Sequence, residues 1–242
     1  MEESVKKLQH WIDESDNIVF FGGAGVSTES GIPDFRSVDG LYSQKYPYPP
    51  EVMLSHSFFE RQPAEFFKFH REKLLAPWAK PNAAHLKLAE LERAGKLRAV
   101  VTQNIDGLHQ MAGSREVLEL HGSVLRNYCV DCGARYPMEF IAERAGVPRC
   151  EACGGIVRPD VVLYEEGLDS SIMSRALDYI RKADVLLIGG TSLVVYPAAG
   201  LVDYYRGNKL ALINKSSTSM DARADLVLKG PIGEVLGALD VG

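Results

Sequence analysis

The chain has 242 residues, 46% of them hydrophobic, enough for one substantial core with a small second module beside it. Its 27 Lys and Arg stand against 32 Asp and Glu, a net charge of −5 that offers no broad basic face to a phosphate backbone, so direct nucleic-acid binding is not expected. No apolar run approaches the roughly eighteen residues of a membrane span, and no membrane association is expected.

The first segment, MEESVKKLQHWIDESDN, mixes both signs of charge and reads as an amphipathic helix, not a signal peptide. The expected location is cytoplasmic, where four cysteines stay reduced and paired cysteines point to metal before disulfides. Asp16-Asn17 lead into the apolar run Ile18-Val19-Phe20-Phe21, which stops at Gly22-Gly23-Ala24-Gly25 and is followed by Ser27-Thr28-Glu29-Ser30. That order predicts a strand, a glycine turn and the start of a helix.

The stretch from about Ser37 to Lys80 breaks the pattern. Its proline run, Tyr46-Pro47-Tyr48-Pro49-Pro50, must be a loop, whereas Phe66, Phe67 and Phe69 after Pro63 have helical spacing, and Phe58 and Phe59 precede them. A helix is expected from Asn82 to Ala94 and a strand at Ala99-Val100-Val101-Thr102. A second interruption, from about Leu125 to Val157, holds all four cysteines. Beyond it come a helix from Ser170 to Lys182, strands at Val185-Leu186-Leu187-Ile188 and Leu210-Ala211-Leu212-Ile213, and a last helix ending by Val241.

Buried strands alternating with helices imply an α/β fold: a Rossmann-like parallel sheet with helices on both faces, plus a smaller domain made of a helical insertion and a four-cysteine zinc module. The expected division assigns 1–36, 81–124 and 158–242 to the Rossmann-like domain. The helical insertion is 37–80 and the zinc-binding module 125–157. The near absence of tails outside these segments suggests a minimal unit without regulatory extensions.

Cys129-Val-Asp-Cys132, seventeen residues, then Cys150-Glu-Ala-Cys153 is the spacing of a structural zinc site with four thiolate ligands. A redox dithiol or unrelated buried cysteines are the alternatives. Four protein ligands leave no open coordination position, so the zinc folds the module and takes no part in chemistry. The turn Gly23-Ala24-Gly25 would let a backbone approach a pyrophosphate, but Thr28 stands where a third glycine would complete the dinucleotide pattern. From the turn alone, phosphate binding and a purely geometric role are both open. Taken alone, His121 reads as an ordinary satisfied or exposed histidine, and Asn104 and Asp106 as an Asx turn. Their position after predicted strand ends, where open α/β sheets bind ligands, favours a site.

The segment from Gly23 to Arg36, with Thr102-Gln103-Asn104-Ile105-Asp106-Gly107-Leu108-His109 and Glu119-Leu120-His121-Gly122-Ser123, resembles the signature of the sirtuin family, in its bacterial or archaeal single-domain form. The resemblance continues in order through the cysteine pairs, Arg158-Pro159-Asp160-Val161-Val162, Gly190 to Pro197 and Ile213-Asn214, and so covers nearly the whole chain. It implies an NAD-dependent protein-lysine deacetylase. Ala24, Thr28 and Arg36 would line the NAD phosphates and adjacent ribose. Thr191, Ser192 and Asn214, with a backbone contact near Ile232, would hold the adenosine half. Asn104, Ile105 and Asp106 would contact the nicotinamide, Phe35 would cover the reacting sugar carbon, and Gln103 and His121 would face the ribose hydroxyls.

The resemblance also implies the chemistry. The acyl carbonyl oxygen attacks the ribose carbon as nicotinamide departs, and His121 acts as general base on a ribose hydroxyl, with Asn104 as a second catalytic residue. Products would be nicotinamide, free lysine and O-acyl-ADP-ribose, with nicotinamide also an inhibitor. The acyl-lysine protein would lie as an extended strand against Val161-Val162-Leu163-Tyr164 and Leu193-Val194-Val195. Two departures stand out: Tyr164-Glu165-Glu166 replaces the usual Phe-Gly-Glu, with Glu165 expected to favour basic residues beside the lysine, and Gly22 replaces a common threonine. Where relatives that remove acidic acyl groups carry Tyr-x-x-Arg, this chain has Phe67 and His70, which favours acetyl or longer apolar groups. The other readings are mono-ADP-ribosyl transfer from the same NAD geometry, and a non-catalytic NAD-sensing or zinc-ribbon binding module. His10, His56, His70, His85 and His109 are read as structural or surface residues.

Overall fold

In the computed structural model, which describes residues 2–37, 40–43 and 45–241, the first strand already shows the layering. Strand β1 (Ile18–Gly22) is buried along its length, and its side chains alternate between two cores. Ile18 and Phe20 pack with Leu8, Trp11 and Ile12 of helix α1 (Glu2–Asp13), while Val19 and Phe21 belong to a cluster on the opposite face.

No α-helix follows the glycine turn. Two single 3₁₀ turns, Ala24–Val26 and Thr28–Ser30, take its place. Left-handed Gly31 ends the second, and Pro33 disfavours helical backbone at Ile32, so the chain cannot propagate a helix here. The expected helix start is therefore corrected: this turn has no full helix dipole behind it.

Three short helices follow, α2 (Pro50–Met53), α3 (His56–Arg61) and α4 (Pro63–Phe69), the last running into a wide π-helical turn at His70–Leu74. Phe58, Phe59, Phe66, Phe67 and Phe69 are all buried and form one cluster with Met53, Ile141 and Leu163. Helix α5 (Ala83–Arg93) starts at Asn82, whose side chain accepts from Ala84 N, and leads to β2 (Leu97–Thr102), α6 (Leu108–Ala112) and β3 (Val117–Glu119).

The chain then leaves the main sheet. Strand β4 (Gly122–Cys129) pairs antiparallel with β5 (Arg135–Pro137) and β6 (Val157–Val161), and α7 (Met138–Ala142) packs beside them. This sheet takes in residues on both sides of the expected divisions at 124/125 and 157/158. Of the expected segments, residues 1, 38, 39, 44 and 242 lie outside the described residues. Helix α8 (Ser170–Lys182) is capped by Asp169, whose carboxylate accepts from Ser171 N and Ile172 N, a cap worth ~1 kcal/mol. Strands β7 (Val185–Gly189), β8 (Leu210–Asn214) and β9 (Leu226–Lys229) and helix α9 (Ile232–Gly237) follow, with a 3₁₀ segment, Ala198–Tyr204, between β7 and β8.

The main sheet runs β3-β2-β1-β7-β8-β9, parallel throughout. Helices α1, α5 and α9 supply residues to one core, and α8 with residues 198–205 to the other. The chain runs from β1 outward through β2 to β3, then returns to the other side of β1 with β7. The gap between the ends of β1 and β7 is thus a topological switch point, where open α/β sheets bind ligands. Among the described residues no helix is long and apolar enough to cross a membrane.

Candidate functional site

The carboxyl ends of β1 and β7 meet at Gly22 and Gly189, and the turns beyond them pack backbone to backbone. Gly25 N donates to Gly190 O at 2.8 Å, and a Cβ on Gly25 would lie 2.8 Å from Gly190 Cα. Gly190 is itself left-handed, and a Cβ there would lie 2.3 Å from Val26 N. No side chain fits between these turns, which leaves main chain at the switch point, the surface a pyrophosphate needs.

Beside this cradle the expected adenosine-side residues are joined to one another. Thr191 N donates to Asn214 Oδ1 and Asn214 Nδ2 donates back to Thr191 O at 2.6 Å, while Gln103 Nε2 donates to Thr191 Oγ1 at 2.9 Å. Ser192 is exposed at the same turn. Ile232 is buried, and its Cδ1 lies where a Cβ on Gly189 would go; the neighbouring Gly233 N donates to Glu29 Oε2. Ala24 and Thr28 are half-buried at the glycine turn, and Thr28 Oγ1 donates to Gly25 O. Arg36 is exposed and lies over the Tyr42 ring at 5.1 Å, outside the bonded set, and half-buried Phe35 meets the same ring edge-on.

The loop after β2 carries the nicotinamide-side candidates. Asp106 is engaged at both oxygens: Leu108 N donates to Oδ1 and Ser27 Oγ donates to Oδ2 at 2.6 Å. Asn104 Nδ2 donates to the same Ser27 hydroxyl at 3.1 Å. Asp106 therefore does form the Asx turn at α6, and, half-buried itself, also belongs to a trio with buried Ser27 and Asn104. Ile105 is fixed through its carbonyl, which accepts from Val124 N at 3.0 Å. Buried Ser27 was not singled out in the sequence; its only signal there was its place inside the signature stretch. Behind the trio, His85 and His109 pack at 4.7 Å between ring centroids, and burial drives both pKa values down, that of His85 to about 4.

His121 is held at the junction of the two sheets. Leu120 N donates to Thr102 O, His121 O accepts from Val162 N, and left-handed Gly122 lies so close to β6 that a Cβ would sit 2.0 Å from Asp160 O. The ring's Nδ1 lies 2.9 Å from Gln103 O. A carbonyl can only accept, so Nδ1 carries the proton and Nε2 keeps its lone pair. Burial, opposed in part by the Gln103 contact, lowers the His121 pKa, so the ring is neutral at physiological pH.

At the end of the antiparallel sheet, where Cys129 closes β4 and the other three cysteines lie outside the strands, the four Sγ atoms lie within 4.8 Å of one another, with Cys129 to Cys153 at 3.4 Å and Cys132 to Cys150 at 3.6 Å. Tetrahedral zinc with Zn–S bonds of about 2.3 Å requires sulfurs about 3.8 Å apart, so the donor set and its size fit one zinc ion.

Glu165 is engaged within the chain. Its carboxylate accepts from Ser57 N at 2.9 Å and from Ser57 Oγ at 3.0 Å, tying it to the first turn of α3. This contact gives a structural role to the same side chain that is expected from the sequence to favour basic residues beside the lysine. Its φ of 76° explains why glycine commonly stands at this position.

The sequence profile of the Sir2 family matches residues 23–197. The chain belongs to the Sir2 family. A protein of Clostridium perfringens named NAD-dependent protein deacetylase is 64% identical over 98% of each chain, and one of the same name from Clostridium acetobutylicum is 60% identical over 97% of each. Among solved Sir2 structures, one described as "Structural Basis for the Mechanism and Regulation of Sir2 Enzymes" superposes with a TM-score of 0.88 at 42% identity, covering 98% of this chain and 96% of the other. Another, "Sir2-p53 peptide-NAD+", gives 0.86 at 40% identity over 96% and 95%. This Sir2 chain thus shares sequence and fold with its relatives over essentially its full length.

Proposed function

We infer that the chain is an NAD-dependent protein-lysine deacetylase, and the observation that carries the inference is a half-buried, neutral His121 with its Nε2 lone pair free at the end of the main sheet. Near-full-length relatives named for this activity support it. When bound, NAD would supply the ribose carbon that accepts the acyl oxygen as nicotinamide leaves, and one water is consumed in releasing the lysine amine, giving nicotinamide, free lysine and O-acyl-ADP-ribose.

The chain's own residues have separable tasks. The glycine cradle at residues 23–25 and 190 admits the pyrophosphate, with Ala24 and Thr28 beside it and Arg36 as a cation for the phosphates. Thr191, Ser192 and Asn214, near Ile232, hold the adenosine half. Ser27, Asn104 and Asp106 shape the nicotinamide end with Ile105, and Phe35 shields the reacting carbon from water. His121 takes a proton at Nε2 from a ribose hydroxyl, its Nδ1–H anchored on Gln103 O.

The acyl-lysine peptide is proposed to lie as a strand against residues 161–164 and 193–195. Phe67 is fully buried, and burial pushes the His70 pKa down to about 3, so neither position offers a cation to an acidic acyl group. Arg71 lies over the Phe67 ring but directs its N–H groups to the Ile141 and Gly146 carbonyls. The proposal includes inhibition by nicotinamide, no direct nucleic-acid partner, a cytoplasmic location, and the division of the chain into residues 1–36, 81–124 and 158–242 for NAD, with 37–80 and 125–157 as the smaller domain. The test is product identity: mass spectrometry should find one O-acetyl-ADP-ribose and one nicotinamide for each acetyl group lost from a peptide. Free acetate with intact NAD would refute it.

A further inference from the structure

The substrate-facing end of β6 is braced. Tyr164 N donates to Leu54 O and Tyr164 O accepts from His56 N, each at 3.0 Å, so Tyr164 extends a parallel bridge to Ser55. Glu166 pairs with buried Arg158 at 2.6 Å and also accepts from Leu163 N and His56 Nδ1. The segment carrying Phe35 and Arg36 is braced differently. Leu41 N and Tyr42 N donate to Asp34 O and Phe35 O, both at 2.8 Å, and the Asp34 carboxylate caps Arg36 N and Ser37 N. Tyr42 is therefore the foot on which Phe35 and Arg36 rest, edge-on to one and under the other.

These two segments meet at a hydroxyl pair, Tyr42 Oη to Tyr164 Oη at 2.8 Å. The contact depends on a departure noted above: the usual phenylalanine at position 164 has no hydroxyl. Burial, and then the Tyr164 contact, raise the Tyr42 pKa, so its hydroxyl stays protonated throughout the physiological range.

We propose that Tyr42 and Tyr164 are positioning residues that strap the NAD-facing segment to the peptide-facing strand, so that acyl-peptide binding and nucleotide binding strengthen each other. The proposal rests on the functional reading above. A peptide aligned along residues 161–164 orders Tyr164, Tyr164 orders Tyr42, and Tyr42 sets Phe35 and Arg36 for the nucleotide. Coupling of this kind is reciprocal: whatever factor the peptide adds to nucleotide affinity, the nucleotide adds to peptide affinity.

The probes are ADP-ribose, which cannot react, and an acetyl-lysine peptide, with binding followed by calorimetry. The quantity read is the ratio of ADP-ribose Kd without peptide to that with peptide. A single net hydrogen bond corresponds to about a five-fold factor. The ratio should be about five or more in the wild type and fall about five-fold, toward one, in Y164F and in Y42F, with no further fall in the double variant. Kd for ADP-ribose alone should stay within about two-fold in Y164F, which keeps the ring and so preserves packing. In turnover, KM for NAD at saturating peptide should rise in Y164F with little change in kcat. A wild-type ratio of one, or an undiminished ratio in either single variant, overturns the strap while leaving the functional reading intact. Failure of the wild type to bind ADP-ribose at all would sink the functional reading, and the strap with it.

Discussion

The Ser27 hydroxyl donates to Asp106 Oδ2 at 2.6 Å and at the same time accepts from Asn104 Nδ2 at 3.1 Å, so a residue from the β1 turn fixes two residues from the β2 loop. The hydroxyl is buried, and removing it leaves the buried Asn104 amide and one oxygen of half-buried Asp106 without this partner.

Ser27→Ala is therefore expected to lose more activity than stability. Unfolding free energy should fall by about 1–3 kcal/mol, the cost of an orphaned buried polar group. kcat/KM for NAD should fall at least about ten-fold, because ~1.4 kcal/mol of lost positioning already has that effect. Equal effects on stability and turnover of a weakened but correctly folded variant would contradict this role.

The zinc prediction concerns folding. Cys129, Phe140, Cys150 and Val157 form a small cluster with little apolar burial of its own, so the four-thiolate site supplies much of its stability. Metal analysis should find one zinc per chain. Its removal by a strong chelator, or Cys150→Ser, should open residues 125–157 to proteolysis, and activity should fall with it. A metal-free protein that keeps this region protected would refute the account.

At Glu165 two effects oppose each other. The left-handed backbone disfavours any side chain, while the carboxylate bonds to Ser57 N and Oγ stabilise α3. Glu165→Ala should lower the melting midpoint, since it keeps the strain and loses the cap. Glu165→Gly should be the milder change. Neither should alter the preference between peptides with basic and acidic residues flanking the lysine, and a shift in that preference would restore a substrate-binding role.

Three buried histidines predict acid sensitivity. Burial depresses the pKa of His70 to about 3 and of His85 to about 4, and lowers that of His109 well below its ordinary value. Among the described residues, neither ring nitrogen of His70 or His109 has a hydrogen-bond partner. Below the unfolded value of about 6.5 the unfolded chain binds protons that the folded chain refuses, so this stability is present above pH 6.5 and is lost as pH falls toward 4. Each histidine adds ~1.4 kcal/mol per pH unit to the slope across that window. Urea midpoints should drop steeply between pH 6.5 and 5, and His70→Leu should flatten the dependence. A midpoint independent of pH in that range would show that these rings are not buried neutral.

Much of this was legible in the chain order of apolar runs and glycines. The strands at 18, 99, 185 and 210, the helices at 82–94 and 170–182 and the cysteine spacing follow from patterns that local chemistry enforces. The 3₁₀ turns after Gly23 were not legible, because capping residues precede a helix and a tight turn alike, and only Gly31 and Pro33 together stop propagation. The Glu165–Ser57 contact joins residues 108 apart in sequence, and a surface carboxylate looks the same in sequence whether it binds substrate or caps a helix. The histidines split for the same reason: His109 and His121 carry similar local signals, and what distinguishes them is that His121 has a carbonyl at Nδ1 while His109 has no hydrogen-bond partner among the described residues.

The most direct test of the central claim uses an acetyl-lysine peptide with and without NAD, following peptide mass and nicotinamide release for the wild type and His121→Ala. The account predicts deacetylation only with NAD, one nicotinamide released per acetyl group removed, and loss of peptide deacetylation by roughly 100-fold or more in the variant, the scale of general-base catalysis. Deacetylation without NAD, or a His121→Ala protein as active as the wild type, would contradict it.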